Sequence, residues 1–354
     1  METSKSHSKY TKAKPYIGVI LLQCGLAGMD ILSKVALNQG MSNYVLVVYR
    51  HAVATIVIAP FAILLDRKKR PKMTKSIFMK LLLLSLLEPV IDQNLYYLGM
   101  KYTSATFVAA LVNVLPAITF VMAWLLRLEM VNWKSTHSQA KIVGTIATVG
   151  GAMMMTLVKG PLAFQPFWFK HGGITYDHAV THNDISLHAA IKASILVTIG
   201  CFSWSAFLIL QVMTLKSYPR ELSMTAWICV MGTLENAVVA LIMEKGRSSV
   251  WAIGWDANLL AAVYSGIFCS GLLYYVQGVI MIERGPVFVT AFNPLCMVIV
   301  ALLSTIFMAE NMYLGRLIGA IIIVAGLYMV LWGKGKDYDR SSPIIKMQVM
   351  CLLY

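Results

Sequence analysis

Charge is scarce in this sequence: Asp, Glu, Lys and Arg make up 13% of its 354 residues, against roughly a quarter in a soluble globular protein. Cysteine is scarce too. Cys24, Cys201, Cys229, Cys269 and Cys296 are scattered through apolar runs and Cys351 lies near the end. There is no C-x-x-C and no Cys/His pairing, which excludes a disulfide framework and a zinc site. No Asn-x-Ser/Thr sequon occurs. Nucleophile elbow, phosphate loop and zinc-protease signatures are all missing, and the Gly-x-Gly at Gly333 to Gly335 lacks a strand–helix context. An enzyme is not expected, nor a cofactor or a metal.

What is present is apolar. Hydrophobic residues make up 58% of the chain and the mean hydropathy is +0.70. Ten apolar segments are near bilayer-crossing length as helices. They run Pro15 to Ala36, Tyr44 to Leu65, Ile77 to Leu98, Ser104 to Leu126 and Gln139 to Val158, then His188 to Val212, Leu222 to Met243, Ala257 to Ile280, Pro286 to Ala309 and Met312 to Trp332. The fold class expected is an all-α membrane protein. The first segment is too long for a signal-peptide core and holds Gln23, Asp30 and Lys34.

The chain is basic, with net charge +14. The basic residues fall mainly on one side of a ten-span arrangement: Lys5, Lys9, Lys12 and Lys14, the run Arg67-Lys68-Lys69-Arg70, Arg127 and Lys134, Lys216 and Arg220, Arg284, then Lys334, Lys336, Arg340 and Lys346. Lys and Arg collect in cytoplasmic loops, so both termini are expected in the cytoplasm. The charge records topology rather than nucleic-acid binding.

The two halves repeat. Tyr96-Tyr97 corresponds to Tyr274-Tyr275 and, at the same offset, Pro116 to Pro294. After a three-residue loss in the next loop, Lys141 meets Arg316, Gly144 meets Gly319 and Gly151 meets Gly326. Five spans per half makes the second half enter from the opposite side, an inverted repeat of the kind secondary transporters use. The expected organisation is a cytoplasmic tail at 1–14, a first repeat at 15–158, an extracytoplasmic linker at 159–187, a second repeat at 188–332 and a short cytoplasmic tail at 333–354. The linker region holds His171, His178, His182 and His188, expected to be solvated although His178 and His182 have i, i+4 spacing. Gly315 and Gly319 form a G-x-x-x-G that suits packing within one chain as well as dimerisation. The oligomeric state stays open.

Several stretches carry a family resemblance. In the first half they are Val45 to His51, Arg70 to Thr74, Glu88-Pro89-Val90-Ile91-Asp92-Gln93-Asn94-Leu95-Tyr96-Tyr97 and Tyr102 to Thr106. In the second they are Tyr274 to Gly278, Arg284 to Phe288, Ala291-Phe292-Asn293-Pro294-Leu295, and Gly326-Leu327-Tyr328 leading to Trp332-Gly333-Lys334. In this order, over roughly Pro15 to Lys336, the chain resembles the plant UMAMIT (walls-are-thin-related, nodulin-like) transporters of the EamA branch of the drug/metabolite transporter superfamily. The resemblance implies ten helices in two EamA halves and facilitated or proton-linked movement of amino acids, often as export. One branch of that family moves auxin. It also implies the plasma membrane as location, with the tonoplast second. The departure is at the end: the family usually carries a longer polar tail, where Ile344 to Tyr354 is short and apolar.

An amino-acid cargo needs acceptors for an ammonium, donors for a carboxylate and an apolar wall. Polar residues within spans are costly and become the candidates. Substrate-binding candidates are Gln23, Glu88, Asp92, Asn94, Asn113, Trp204, Tyr274, Gln277 and Asn293, with Gln93, Ser203, Gln211, Glu235 and Asn236 also in spans. Glu88 and Asp92 share a helix face. They and His51 are the proton-coupling candidates. Pro89, Pro116 and Pro294 are expected to break their helices, freeing carbonyls for the substrate. The bland alternatives are solvation of Asp92, Gln93 and Asn94 at the interface, and helix packing for Trp204 and the Tyr pair. Arg50 is expected in an outer vestibule or snorkelling. The function expected is secondary transport of amino acids by alternating access, with a small-molecule substrate and the bilayer as partners. The alternatives are an auxin or organic-anion carrier of the same fold, and a non-transporting receptor or scaffold.

Overall fold

Backbone groups in apolar surroundings find partners most readily within a helix, and helices make up nearly all of the computed structural model. The structure describes residues 2–66, 71–102, 111–129, 135–158, 162–164, 187–245, 247–307 and 312–353. The expectations for Arg67 to Arg70, Lys134, His171, His178 and His182, and for the start of the fourth segment, lie outside the described residues. So does most of the linker.

In chain order the helices are α1 (Glu2–Asn38), α2 (Asn43–Asp66), α3 (Lys75–Ser85), α4 (Gln93–Tyr102), α5 (Leu115–Leu125), α6 (Thr136–Leu157), α7 (Leu187–Ser217), α8 (Glu221–Met243), α9 (Ala257–Tyr264), α10 (Leu273–Arg284), α11 (Pro286–Thr290), α12 (Asn293–Phe307) and α13 (Leu314–Leu353). A two-stranded antiparallel ladder pairs β1 (Leu162–Phe164) with β2 (Met312–Tyr313). Among the described residues, six helices are long and apolar enough to cross a membrane: 14–37, 43–66, 191–217, 221–243, 257–284 and 314–334. Residues 115–125 and 286–302 form shorter apolar helices.

Many large apolar side chains face outward while several charged ones are buried. Leu64 is 76% exposed and Ile242 67%, whereas Arg50 is 2% and His51 0%. Greasy side chains on the outside and charged ones within suit a lipid surrounding and no other.

Two long pairings join the halves. The first is α6 with α13, packed backbone to backbone. A methyl on Gly144 would lie 2.7 Å from the Gly326 carbonyl oxygen, and one on Gly319 would lie 2.6 Å from that of Gly151. Only glycine admits this approach. Gly319 is thereby used in packing inside the chain.

The second pairing is α2 with α8, which run antiparallel and are tied at both ends. Asp66, closing α2, accepts from the Ser223 N–H (3.1 Å) and hydroxyl (2.9 Å) in the first turn of α8. Glu244, just past α8, accepts from the Ser42 hydroxyl (2.5 Å) beside the start of α2. Asp66 and Glu244 stand at the same offset in sequence that aligns Tyr96-Tyr97 with Tyr274-Tyr275. The repeat therefore places a carboxylate at each end of one helix pair, where it can satisfy the open donors of a helix N-terminus.

Candidate functional site

The site forms where the helices stop being regular. Between α3 and α4 the chain widens into a π-helix over Leu86–Asp92, and between α9 and α10 it does so again over Ser265–Leu272. Pro89 explains the first, because it lacks the N–H that an α-helix needs and its ring crowds the preceding turn. The second has no proline but holds Gly266, where a methyl would lie 2.6 Å from the Arg50 carbonyl oxygen. The two π-segments occupy nearly matching places in the two repeats.

The carbonyls loosened by the first π-segment are already engaged. Leu87 O accepts from the Ser203 hydroxyl (2.7 Å), Pro89 O from Asn236 Nδ2 (2.9 Å) and Val90 O from Asn94 Nδ2 (2.8 Å). The carbonyl that Pro89 itself leaves without its helical donor is that of Ser85, one turn earlier. Ser203 and Asn236 hold the widened turn open.

Between the π-segments lies a buried polar network. Arg50 donates from Nε to Ser270 Oγ (2.7 Å) and from Nη1 to Gln93 Oε1 (2.8 Å). Gln93 Nε2 donates to Glu88 Oε1 (2.7 Å), and the Tyr274 hydroxyl donates to Glu88 Oε2. His51 Nδ1 lies 2.9 Å from the Val47 carbonyl, which can only accept, so that nitrogen carries the proton. Nε2 is then the acceptor, 3.4 Å from the Ser270 hydroxyl. The resulting order is Arg50 to Ser270 to His51.

Three carboxylates lie in the region of Arg50: Glu88 is linked to it through Gln93, Asp92 is buried in the same π-segment, and Asp30 follows Met29, whose sulfur Arg50 Nη1 reaches at 3.3 Å. Glu88 is 3% exposed and Asp92 8%. Asp92 packs against α7, where a methyl on Gly200 would meet its Oδ1 at 2.9 Å. The interfacial, solvated alternative for Asp92 and Gln93 therefore fails. The outer-vestibule or snorkelling position expected for Arg50 fails as well, since its head group is inside. Sequence reasoning named Arg50 without placing it in the site, and it did not single out Asp30 or Ser270 as site residues.

The remaining candidates are spread around this network. Gln23 Nε2 donates to Asn293 Oδ1 (3.3 Å), joining α1 to the start of α12. Asn94 Nδ2 also reaches Asn236 Oδ1 (2.9 Å). Gln277 donates to Gln211 (3.3 Å), and Gln211 donates to the Tyr274 carbonyl (3.1 Å), so Gln277 buttresses Tyr274 from behind. Asn113 meets the Met297 sulfur. Trp204 packs against apolar clusters on two sides. The chain turns at 113–114 and 291–292, and Pro116 and Pro294 stand in the first turn of the helix that follows each. Both turns occupy the same place in their repeats. Two buried oxygens, Gln23 Oε1 and Asn94 Oδ1, have no donor among the described residues.

Comparison with known proteins agrees with this architecture. The EamA-like transporter family matches twice, over residues 14–157 and 191–332. WAT1-related protein At2g37460 of Arabidopsis thaliana is 64% identical over 97% of this chain and 89% of its own length. WAT1-related protein At2g39510 of the same plant is 63% identical over 93% of this chain and 87% of its own. A solved crystal structure, 14% identical, covers 90% of this chain and 96% of its own with a TM-score of 0.64, a likeness of fold alone. A multi-pass arrangement of apolar helices, a polar site between two repeats and these matches give one conclusion: the chain is a membrane transporter and not an enzyme, and it belongs to the EamA-like transporter family, among the WAT1-related plant proteins.

Proposed function

We propose that the chain moves amino acids across the plasma membrane by alternating access, through ten spans in two inverted repeats with both termini in the cytoplasm. The observation that carries this reading is the buried polar network at the π-segments, in which Arg50 and Glu88 are joined through Gln93 and Asp92 is buried in the same segment as Glu88. Uncompensated charge in such a low-dielectric interior is costly. Such a site favours an added cation, either a proton or a substrate ammonium. Arg50 suits the substrate carboxylate, since its planar fork matches two oxygens at once. The unpartnered acceptors on Gln23 and Asn94 suit the donors of an ammonium group.

In this mechanism Glu88 carries the coupling proton, with Tyr274 and Gln93 holding its two oxygens in place. Asp92 supplies the second negative charge beside the substrate. His51, whose Nδ1 is held by Val47 and whose Nε2 faces Ser270 and Tyr274, is the second proton-coupling candidate. Asn293 and Asn113, beside the helix breaks, close the site as the halves rock.

The test is efflux of radiolabelled amino acids from loaded oocytes expressing the chain. Flux above control for members of a panel supports the reading. No flux, with protein shown at the surface, sinks it. A second reading keeps the fold and makes the cargo auxin or another organic anion. The single buried Arg50 would serve that carboxylate equally. Competition between labelled auxin and amino acids separates the two.

A further inference from the structure

The residues that bear on transport do not all lie at the central site. Away from it, at the end that carries the basic loops, Glu129 receives two lysines. Lys141 Nζ, at the start of α6, donates to Glu129 Oε1 (2.9 Å), and Lys334 Nζ, in α13, donates to Oε2 (2.6 Å). The three side chains are 7%, 0% and 11% exposed. Lys334 also reaches the Arg284 carbonyl (3.4 Å) at the turn into α11. That turn needs glycine at Gly285, whose φ is +81°, and Arg127 just before Glu129 is left-handed as well, at +58°. Lys334 therefore ties two tight turns, one after α5 and one before α11, to the same brace helix.

Those turns belong to the parts of the fold best able to move. The α6–α13 pair is packed through backbone contact, and the α2–α8 pair is clamped by Asp66 and Glu244 at its two ends. Parting either would break several close contacts together. By contrast α5 and α11 meet through a small apolar patch of Phe120, Ala123 and Val287, with Leu128 and Ile142 packed against it. This patch lies directly under the Glu129 cluster.

We propose that Glu129 is the latch of a gate at this face. Bound to both lysines, it holds the ends of α5 and α11 together over the Phe120–Ala123–Val287 seal and closes the central site from that side. Released, it lets the two turns separate from Lys334 and the seal open. The inference rests on the transport reading for its purpose, and its test does not require knowledge of the cargo.

The test is reaction of an Ala123→Cys chain, full length and in inside-out membrane vesicles, with a charged, membrane-impermeant maleimide. Labelling is read at that position by peptide mass spectrometry, and a monodisperse elution profile in detergent serves as the folding control. Labelling is slow with Glu129 present. Glu129→Gln or Lys334→Gln raises the rate about ten-fold, as a shift in a two-state equilibrium does. Glu129→Asp, which keeps the charge, retains slow labelling. An unchanged rate in both glutamine variants, with that elution profile retained, overturns the proposal. Should Glu129→Gln lose that profile, Lys334→Gln decides, because it leaves Glu129 paired with Lys141 and a donor in place. Faster labelling without amino-acid flux keeps the latch and removes the cargo. Unaltered labelling with normal flux does the reverse.

Discussion

Glu88 shows how much a single buried carboxylate is asked to do. It accepts from Gln93 and Tyr274 and lies in the field of Arg50. Glu88→Gln keeps the shape and removes the titration, so flux loses its pH dependence while protein reaches the membrane. A retained pH dependence in side-by-side flux assays removes Glu88 from the mechanism. Arg50→Gln removes the guanidinium that holds Ser270 and, through Gln93, Glu88. Breaking a buried charge network costs about 3–5 kcal/mol, so this variant shows a lower thermal midpoint in detergent together with lost flux. Glu129 differs because it sits outside the spans. Burial alone would raise its carboxyl, yet Lys334 and Lys141 hold it below the ordinary range. A depressed folded-state value gives stability that is present above the unfolded value, about 4.3, and fades as pH falls through the folded one. The melting temperature thus falls with acid in that window, and Glu129→Gln flattens that part of the profile.

The sequence makes residue type legible here and neighbours less so. Glu88, Asp92 and Tyr274 stand out because a charge or a repeated Tyr pair in an apolar run has few harmless explanations. Arg50 is visible in the same way. Its place inside depends on α9–α10 approaching at Gly266, a contact between distant segments that no local pattern encodes. Asp30 shows the same limit, since one acid in a long apolar helix says nothing of which helix faces it. Ser270 gives no signal at all, as serine is common in spans.

At the scale of elements, proline and glycine decide the irregularities. Pro89 is expected from sequence to break its helix. It widens the helix instead, because Ser203 and Asn236 cap the loosened carbonyls and keep the strand of backbone continuous. Pro89→Ala restores the missing donor and favours an ordinary α-helix, which turns Asp92, Gln93 and Asn94 away from their partners. Flux falls at least ten-fold, roughly the effect of a 1.4 kcal/mol mismatch, with expression preserved. The second π-segment, lacking proline, is not legible from local sequence. The α6–α13 glycines were legible through their repeat, and the structure adds what they touch. Gly319→Leu forces a side chain into the Gly151 carbonyl, 2.6 Å from the first added carbon. Overpacking of a close helix pair costs about 1–3 kcal/mol or more, and the variant is expected to be poorly expressed with a lowered melting temperature.

For the whole molecule, the outward-facing apolar side chains, the buried charged ones and the two-fold family match make it a membrane transporter. Composition alone carried the apolar class, and the repeat carried the division into halves. Cargo is a different matter, because it depends on a few side chains from several helices and on the space between them. The central claim is that Glu88, held by Tyr274 and facing Arg50, couples a proton to amino-acid movement. The most direct measurement is efflux of labelled amino acids from proteoliposomes containing the full chain at two pH values, with and without Glu88→Gln. The account expects pH-dependent flux in the natural chain and pH-independent flux in the variant. Equal pH dependence in both, or no amino-acid flux from correctly inserted protein, contradicts it.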